Sequence, residues 1–205
     1  MKKLNILIAC EESQVITSAF REHGHTAFSC DILQTSGSSP EWHIKDDAIK
    51  VLYSRNWDLV IAHPPCTRIS KVCLQWLYSR NLWDELKEAT DFFNAFRDYG
   101  RAGNKIAIEN PVPHRHALKL IGDRYSQIIH PWQHGHGDTK PTCLWLYNLP
   151  LLTPRLVTPG RYNRNRKMPG NKDRARLRSV TYSGIAKSMV EQWTRPEAYQ
   201  MKLLY

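Results

Sequence analysis

Long apolar runs are missing from this chain: no stretch approaches the roughly 20 residues that a membrane-spanning helix needs. The Lys2-Lys3 start leads only into Leu4 to Cys10, which reads as a strand and not as a secretory leader. A cytoplasmic protein with no membrane partner is therefore expected. Disulfide and zinc frameworks are missing as well. Cys10, Cys30, Cys66, Cys73 and Cys143 are an odd number with no CxxC pair and no metal-ligand spacing, so each reads as a reduced thiol. His23-Gly24-His25, His130 and His134-Gly135-His136 supply no third ligand at a recognisable spacing, and no metal is expected. The chain has no internal repeat and no extended low-complexity tract.

Acidic residues are scarce at one end only. Residues 151–205 hold 12 Lys/Arg against 3 Asp/Glu, whereas residues 1–150 are nearly balanced at 17 against 16, so almost all of the net +10 lies in the last quarter or so of the chain. Nine of those cations, Arg155, Arg161, Arg164, Arg166, Lys167, Lys172, Arg174, Arg176 and Arg178, fall in one polar run with Tyr162, Asn163, Asn165, Pro169 and Gly170. Such a run is too polar for a core and suits an arm that neutralises phosphates, the alternative being a solvated loop.

What is present is an alternation of strand and helix patterns. Leu4 to Ala9 is nearly continuous apolar sequence, as in a strand buried on both faces. Ser13 offers an N-cap, Val15, Ile16, Ala19 and Phe20 follow at helical spacing, and Thr26 to Cys30 forms a second strand ending at Asp31. That order is a nucleoside-cofactor half-site, in which an acid after the second strand holds ribose hydroxyls. A helix to Tyr53, a strand at Asp58 to Ala62, an amphipathic helix over 83–99 and a strand at Lys105 to Ile108 come next. Strands at Tyr125 to His130 and Thr142 to Tyr147 and a last helix after Ser183-Gly184 complete the pattern. The expected fold is α/β, a Rossmann-like doubly wound, mostly parallel sheet. Its expected organisation is a core over 1–150, a basic insert over 151–182 and a helix over 183–205 packing back on the core.

Two strand ends carry the chemistry. One strand leads into His63-Pro64-Pro65-Cys66-Thr67 and the next into Glu109-Asn110-Pro111. The carboxyl ends of parallel strands share one edge, so a thiol in a proline-stiffened loop would face the same crevice as a carboxylate. A thiolate is a strong nucleophile. An acid at a strand end, with Asn110 fixing the turn and Pro111 stopping any helix, is costly unless it faces a polar cleft.

These runs resemble the cytosine-C5 DNA methyltransferases, whose motifs are Pro-Cys after one strand and Glu-Asn after the next, matched here by Pro65-Cys66 and Glu109-Asn110. In weaker form the resemblance covers Ile8 to Ser13, Asp31, His43 to Asp47, Asp58, Gln133 through Lys140 to Trp145, and Tyr182 to Ala186. It points to the short, phage-type branch and to the sheet of S-adenosylmethionine-dependent methyltransferases. By that resemblance Cys66 adds to C6 of cytosine and protonated Glu109 holds the N3 edge beside Asn110. Lys140, where the family usually has arginine, assists base or phosphate contact. Ala9, Cys10, Glu11, Glu12 and Ser13 would form the cofactor turn, with Glu11 or Glu12 on the methionine ammonium, Asp31 on the ribose, the Asp47 or Asp58 region near the adenine, and Pro64 alongside. DNA is the implied partner, with the base turned out of the duplex.

The chain departs from the family at several places. Its Cys10 to Gln14 turn has no glycine, Thr67 replaces a common glutamine, and the stretch from 146 to 181 is too short for a large target-recognition domain. The alternatives are modification of a free cytosine nucleotide, or a non-catalytic nucleic-acid-binding protein on the same fold. Amino-methyltransferases place an acid, amide or serine before the two prolines and an aromatic after them; His63 and Cys66 stand there instead.

Overall fold

The structure is a computed structural model that describes residues 2–159, 162 and 178–195. Seven strands form one sheet: β1 (Asn5–Ala9), β2 (Thr26–Asp31), β3 (His43–Lys45), β4 (Leu59–Ala62), β5 (Ile106–Pro111), β6 (Gln127–Ile129) and β7 (Thr142–Tyr147), in the order β3-β2-β1-β4-β5-β7-β6. The first five are parallel to one another, whereas β7 runs antiparallel between β5 and β6. Helices α1 (Val15–Glu22), α2 (Ala48–Tyr53), α3 (Leu74–Ser79), α4 (Trp83–Arg101), α5 (Arg115–Ile121) and α6 (Ser183–Trp193) connect and cover the strands.

The apolar run of β1 has a simple cause. Ile6 and Ile8 pack with Ile16, Phe20, Met189 and Trp193 on the α1/α6 face, while Leu7 and Ala9 pack with Val51, Phe93 and Phe96 on the α2/α4 face. Each fully buried isoleucine or leucine contributes about 1.5–3 kcal/mol relative to exposure. A strand burying side chains on both faces has no room for a polar position.

Two elements differ from their expected form. Glu109-Asn110-Pro111 is not a turn: β5 continues through all three, paired to Leu144, Cys143 and Thr142 of β7. On its other side β4 stops at Ala62, opposite Ile108, so Pro111, which has no N–H, lies where no β4 neighbour requires one. The α1 N-cap is Gln14 and not Ser13; it has φ 59 and makes no side-chain cap. Among the described residues no helix is long and apolar enough to cross a membrane.

Candidate active site

The ends of β4 and β5 build the site. Alternation along β5 sends Ala107 to the α1/α6 face and Ile108 to the other, so Glu109 returns to the α6 side and Asn110 to the opposite one. Glu109 lines a small crevice with Lys140, Thr142, Thr181, Tyr182, Ile185 and Met189. Asn110 is buried, and its Nδ2 donates to the Pro64 carbonyl at 2.7 Å, tying the Cys66 loop to the neighbouring strand. Pro64 is buried, whereas Pro65 and Cys66 are exposed at the loop tip. The Cys66 carbonyl accepts from Ile69 N at 3.1 Å and Ser70 N at 3.0 Å, which fixes the turn after the thiol.

His63, which sequence reasoning passed over, joins the two strands. Its Nδ1–H donates to Glu109 Oε2 at 2.8 Å, with side-chain exposures of only 12% and 15% for the pair. Its Nε2 is buried with no hydrogen-bond partner. Burial pushes the Glu109 carboxyl up, but the His63 bond and charge and the Lys140 charge outweigh it and hold the group below its ordinary 4.5. Cys66 moves the other way. Although the residue is exposed, crowding around its sulfur pushes the thiol up, the Glu109 charge adds to this and Lys140 opposes it. The resting pair is a thiol beside a carboxylate.

Lys140 arrives because β7 is antiparallel. A parallel strand delivers the residues that follow it to this edge; β7 delivers those that precede it. Lys140 Nζ donates to the Arg178 carbonyl at 3.0 Å. Asp138, fully buried, accepts from the Tyr182 hydroxyl and from Thr139 N at 2.7 Å, which fixes the loop carrying Lys140 against the start of α6. The histidines nearby have structural partners. Ser188 Oγ donates to the Gly184 carbonyl at 3.0 Å, so His134 Nδ1 is the donor in its 2.8 Å bond to Ser188. Burial, then the nearby His136, pushes His134 down to about 4. His136 Nε2 accepts from Gly184 N at 2.9 Å.

No family model matches the chain. No curated protein matches it either. Solved structures do align. A prophage-encoded E. coli protein provisionally assigned as a DNA modification methyltransferase aligns at 13% identity and TM-score 0.49, over 77% of this chain and 52% of that one. The Entamoeba histolytica methyltransferase EhMeth aligns at 15% identity and TM-score 0.47, over 83% and 61%. The bifunctional kinase-methyltransferase WbdD aligns at 14% and 0.38, over 75% and 36%. The chain thus spans about half the length of the first of these, and at such values the alignments say nothing about substrate. The fold follows from the strand order itself: a Rossmann-like α/β sheet with one antiparallel strand, β7, between β5 and β6.

The first-strand turn lacks glycine but has the backbone that glycine would supply. Cys10 and Gln14 both have φ 59, a left-handed conformation that costs a side-chain-bearing residue roughly 1–2 kcal/mol. Gln14 is held there by its side chain, which donates to Ser39 O at 2.8 Å and accepts from Ser39 N at 3.2 Å. Glu11 is buried and receives Ile16 N at 2.7 Å, Thr17 N at 3.2 Å and Thr17 Oγ1 at 2.6 Å, so it caps α1 from outside the helix. Glu12 Oε2 accepts from Ser36 N at 3.1 Å while its Oε1 is buried without a partner. Ser13 is half-buried in the turn, Ala9 closes β1 with its carbonyl accepting from His63 N at 3.0 Å, and Asp31 ends β2 with Oδ1 accepting from Leu33 N at 2.9 Å.

Of the two acids expected near the adenine, Asp47 follows β3 at the edge that holds the Cys10 turn and Asp58 does not. Asp47 caps α2, accepting from Ile49 N at 2.8 Å and Lys50 N at 3.0 Å. Asp58 is not at the crevice. It precedes β4, where its carboxylate accepts from Asn5 N at 2.8 Å and pairs with Lys2 at 3.4 Å, at the opposite edge of a parallel sheet. Of the basic run, Arg155 pairs with Glu191 at 2.7 Å and Arg178 offers its carbonyl to Lys140. Arg161, Arg164, Arg166, Lys167, Lys172, Arg174 and Arg176 lie outside the described residues.

Proposed function

We propose that this chain is a DNA cytosine-C5 methyltransferase that uses S-adenosylmethionine. The observation that carries the reading is the pairing of strand ends. An exposed thiol leaves β4 and a His63-bound carboxylate sits in β5, with one cation, Lys140, in electrostatic reach of both. The cofactor turn supports it. In a dinucleotide site the α1 N-terminus faces a pyrophosphate, and here the Glu11 carboxylate already takes those N–H groups.

S-Adenosylmethionine, when bound, supplies a methyl group on a cationic sulfonium. The acidic turn fits that charge: the unpartnered Glu12 Oε1 would take the ammonium, Asp31 the ribose, and the Cys10 to Ser13 backbone the remainder. Cys66 would add through Sγ to C6 of cytosine, so that C5 gains enamine character and accepts the methyl group. As the S–H bond breaks and the S–C6 bond forms, the proton passes to the Glu109 carboxylate, which then holds it against N3. The proton starts on sulfur, since the thiol is raised and the carboxylate lowered; those same shifts oppose its transfer, which formation of the S–C6 bond must drive. A water molecule then takes the C5 proton, the electron pair of that bond re-forms the C5–C6 double bond, and Cys66 leaves C6 as its sulfur recovers the proton held by Glu109. Lys140 would hold the base or an adjacent phosphate.

The test is transfer from labelled S-adenosylmethionine to DNA and, separately, to cytosine mononucleotides, with the label located by nucleoside analysis. We expect label at C5 in DNA, none with Cys66→Ala, and a stable adduct between the parent protein and DNA containing 5-fluorocytosine. A Cys66→Ala protein that still methylates C5 would falsify the assignment.

A further inference from the structure

The segment that follows the nucleophile carries an exposed aromatic surface that the proposed chemistry does not use. Trp76 is 44% exposed, Tyr78 54% and Trp83 39%, although large aromatic side chains ordinarily bury most of their area. Tyr78, Trp83 and His116 pack edge to face with ring centroids 5.2–5.7 Å apart. The Tyr78 hydroxyl lies 2.7 Å from His116 Nε2, and Arg115 Nη2 donates to that hydroxyl at 3.4 Å. The Arg80 guanidinium lies over Trp76, 4.3 Å from the ring centroid. The rings are thus held in place and remain open to solvent.

The surface lies at the catalytic edge. Ser70 bridges to Pro113 just beyond β5, and Lys71 N donates to the Val112 carbonyl at 3.0 Å, so the chain between Cys66 and α3 runs along the ends of β4 and β5. His116 belongs to α5, which follows β5 directly. Local charge identifies the partner. Residues 66–83 contain Arg68, Lys71 and Arg80 with no acid before Asp84 and Glu85 open α4, and residues 113–119 contain Arg115 and Lys119 with no acid. Rings interleaved with guanidinium groups fit a polymer with π-faces and phosphates.

We propose that Trp76, Tyr78 and Trp83, with Arg80 and Arg115, form a stacking platform for unpaired bases of single-stranded nucleic acid flanking the target nucleotide. This deepens the reading above by naming the strand state of the substrate. Paired bases keep their faces inside the duplex, and only an unstacked strand presents them to rings.

The test separates platform from chemistry by using a 12-residue oligothymidylate, which has no cytosine. Its affinity for the full chain is measured at several salt concentrations for the parent, Trp76→Ala/Tyr78→Ala and Arg80→Ala. Stacking is not electrostatic, so the double variant should bind on the order of 10- to 100-fold more weakly by the same factor at every salt concentration. Arg80→Ala should instead lower the slope of affinity against salt by about one. Unchanged melting of both variants, and partial recovery by Trp76→Phe, are expected from an exposed surface. Oligothymidylate binding that the double variant retains in full overturns the proposal. So does a parent dimer that the double variant abolishes, or binding to phosphatidylglycerol vesicles without binding to the oligonucleotide. None of these outcomes depends on whether Cys66 methylates cytosine.

Discussion

Glu109 is held as a carboxylate by His63, and removing that partner should show it. Burial alone pushes this carboxyl up, so in His63→Ala its titration, followed by carbon NMR of the labelled side chain, should move above the ordinary 4.5, whereas the parent titrates below it. An unmoved midpoint would mean that the 2.8 Å contact has no electrostatic weight. The sign for stability follows. With the folded pKa depressed, the contribution is present in full above pH 4.5 and is lost as pH falls through the lower folded value. For turnover, Glu109→Gln should lose on the order of 10²-fold in rate, typical of a missing general acid, with cofactor affinity unchanged. An equal rate would return Glu109 to a purely structural role. Cys66 and Glu109 were legible in the sequence because thiol and acid each come after a run of apolar residues. His63 was not: nothing in a histidine before two prolines says that its ring turns back onto the next strand.

Helix α6 is seated by its second residue. A Cβ built on Gly184 would lie 1.8 Å from the His134 carbonyl and 2.9 Å from His136 Nε2, so the first turn packs directly on backbone. Gly184→Ala should force that turn outward and destabilise the protein by about 2 kcal/mol, within the range for overpacking. For a chain of this size that lowers Tm by roughly 4–8 °C in a thermal melt; an unchanged Tm would mean the contact is not tight in solution. The long elements were readable from period and length, and α4 (Trp83–Arg101) lies within two residues of its expected span. Strand β3 is three residues long, too short to carry a pattern. The direction of β7 left no trace either, because an apolar run reads the same both ways, and direction is what brings Lys140 to the crevice. The α1 cap escaped because Glu11 reaches it from the preceding turn and not from the capping position.

At the scale of the molecule, the positions flanking residues 163–177 hold to one place. Tyr162 N donates to the Gly137 carbonyl at 2.6 Å and Thr139 N to the Tyr162 carbonyl at 3.0 Å. On the return, the Arg178 carbonyl accepts from Lys140 and Tyr182 bonds Asp138. Both sides are fastened to residues 137–140, beside the crevice. Replacing 163–177 by a Gly-Ser linker of equal length removes six cations, Arg164, Arg166, Lys167, Lys172, Arg174 and Arg176. Thermal stability should stay within about 0.5 kcal/mol of the parent, because the sequence of this run is too polar for a core. The slope of DNA affinity against salt should fall by about one for each phosphate that is no longer neutralised. A collapse of the fold would show that the segment belongs to the core, and an unchanged slope that it never meets DNA. The shared anchorage also makes this position a socket. Between posts so fixed, an inserted flexible cassette costs only about 0.6 kcal/mol more for each doubling of its length, so longer Gly-Ser cassettes are expected to be tolerated there.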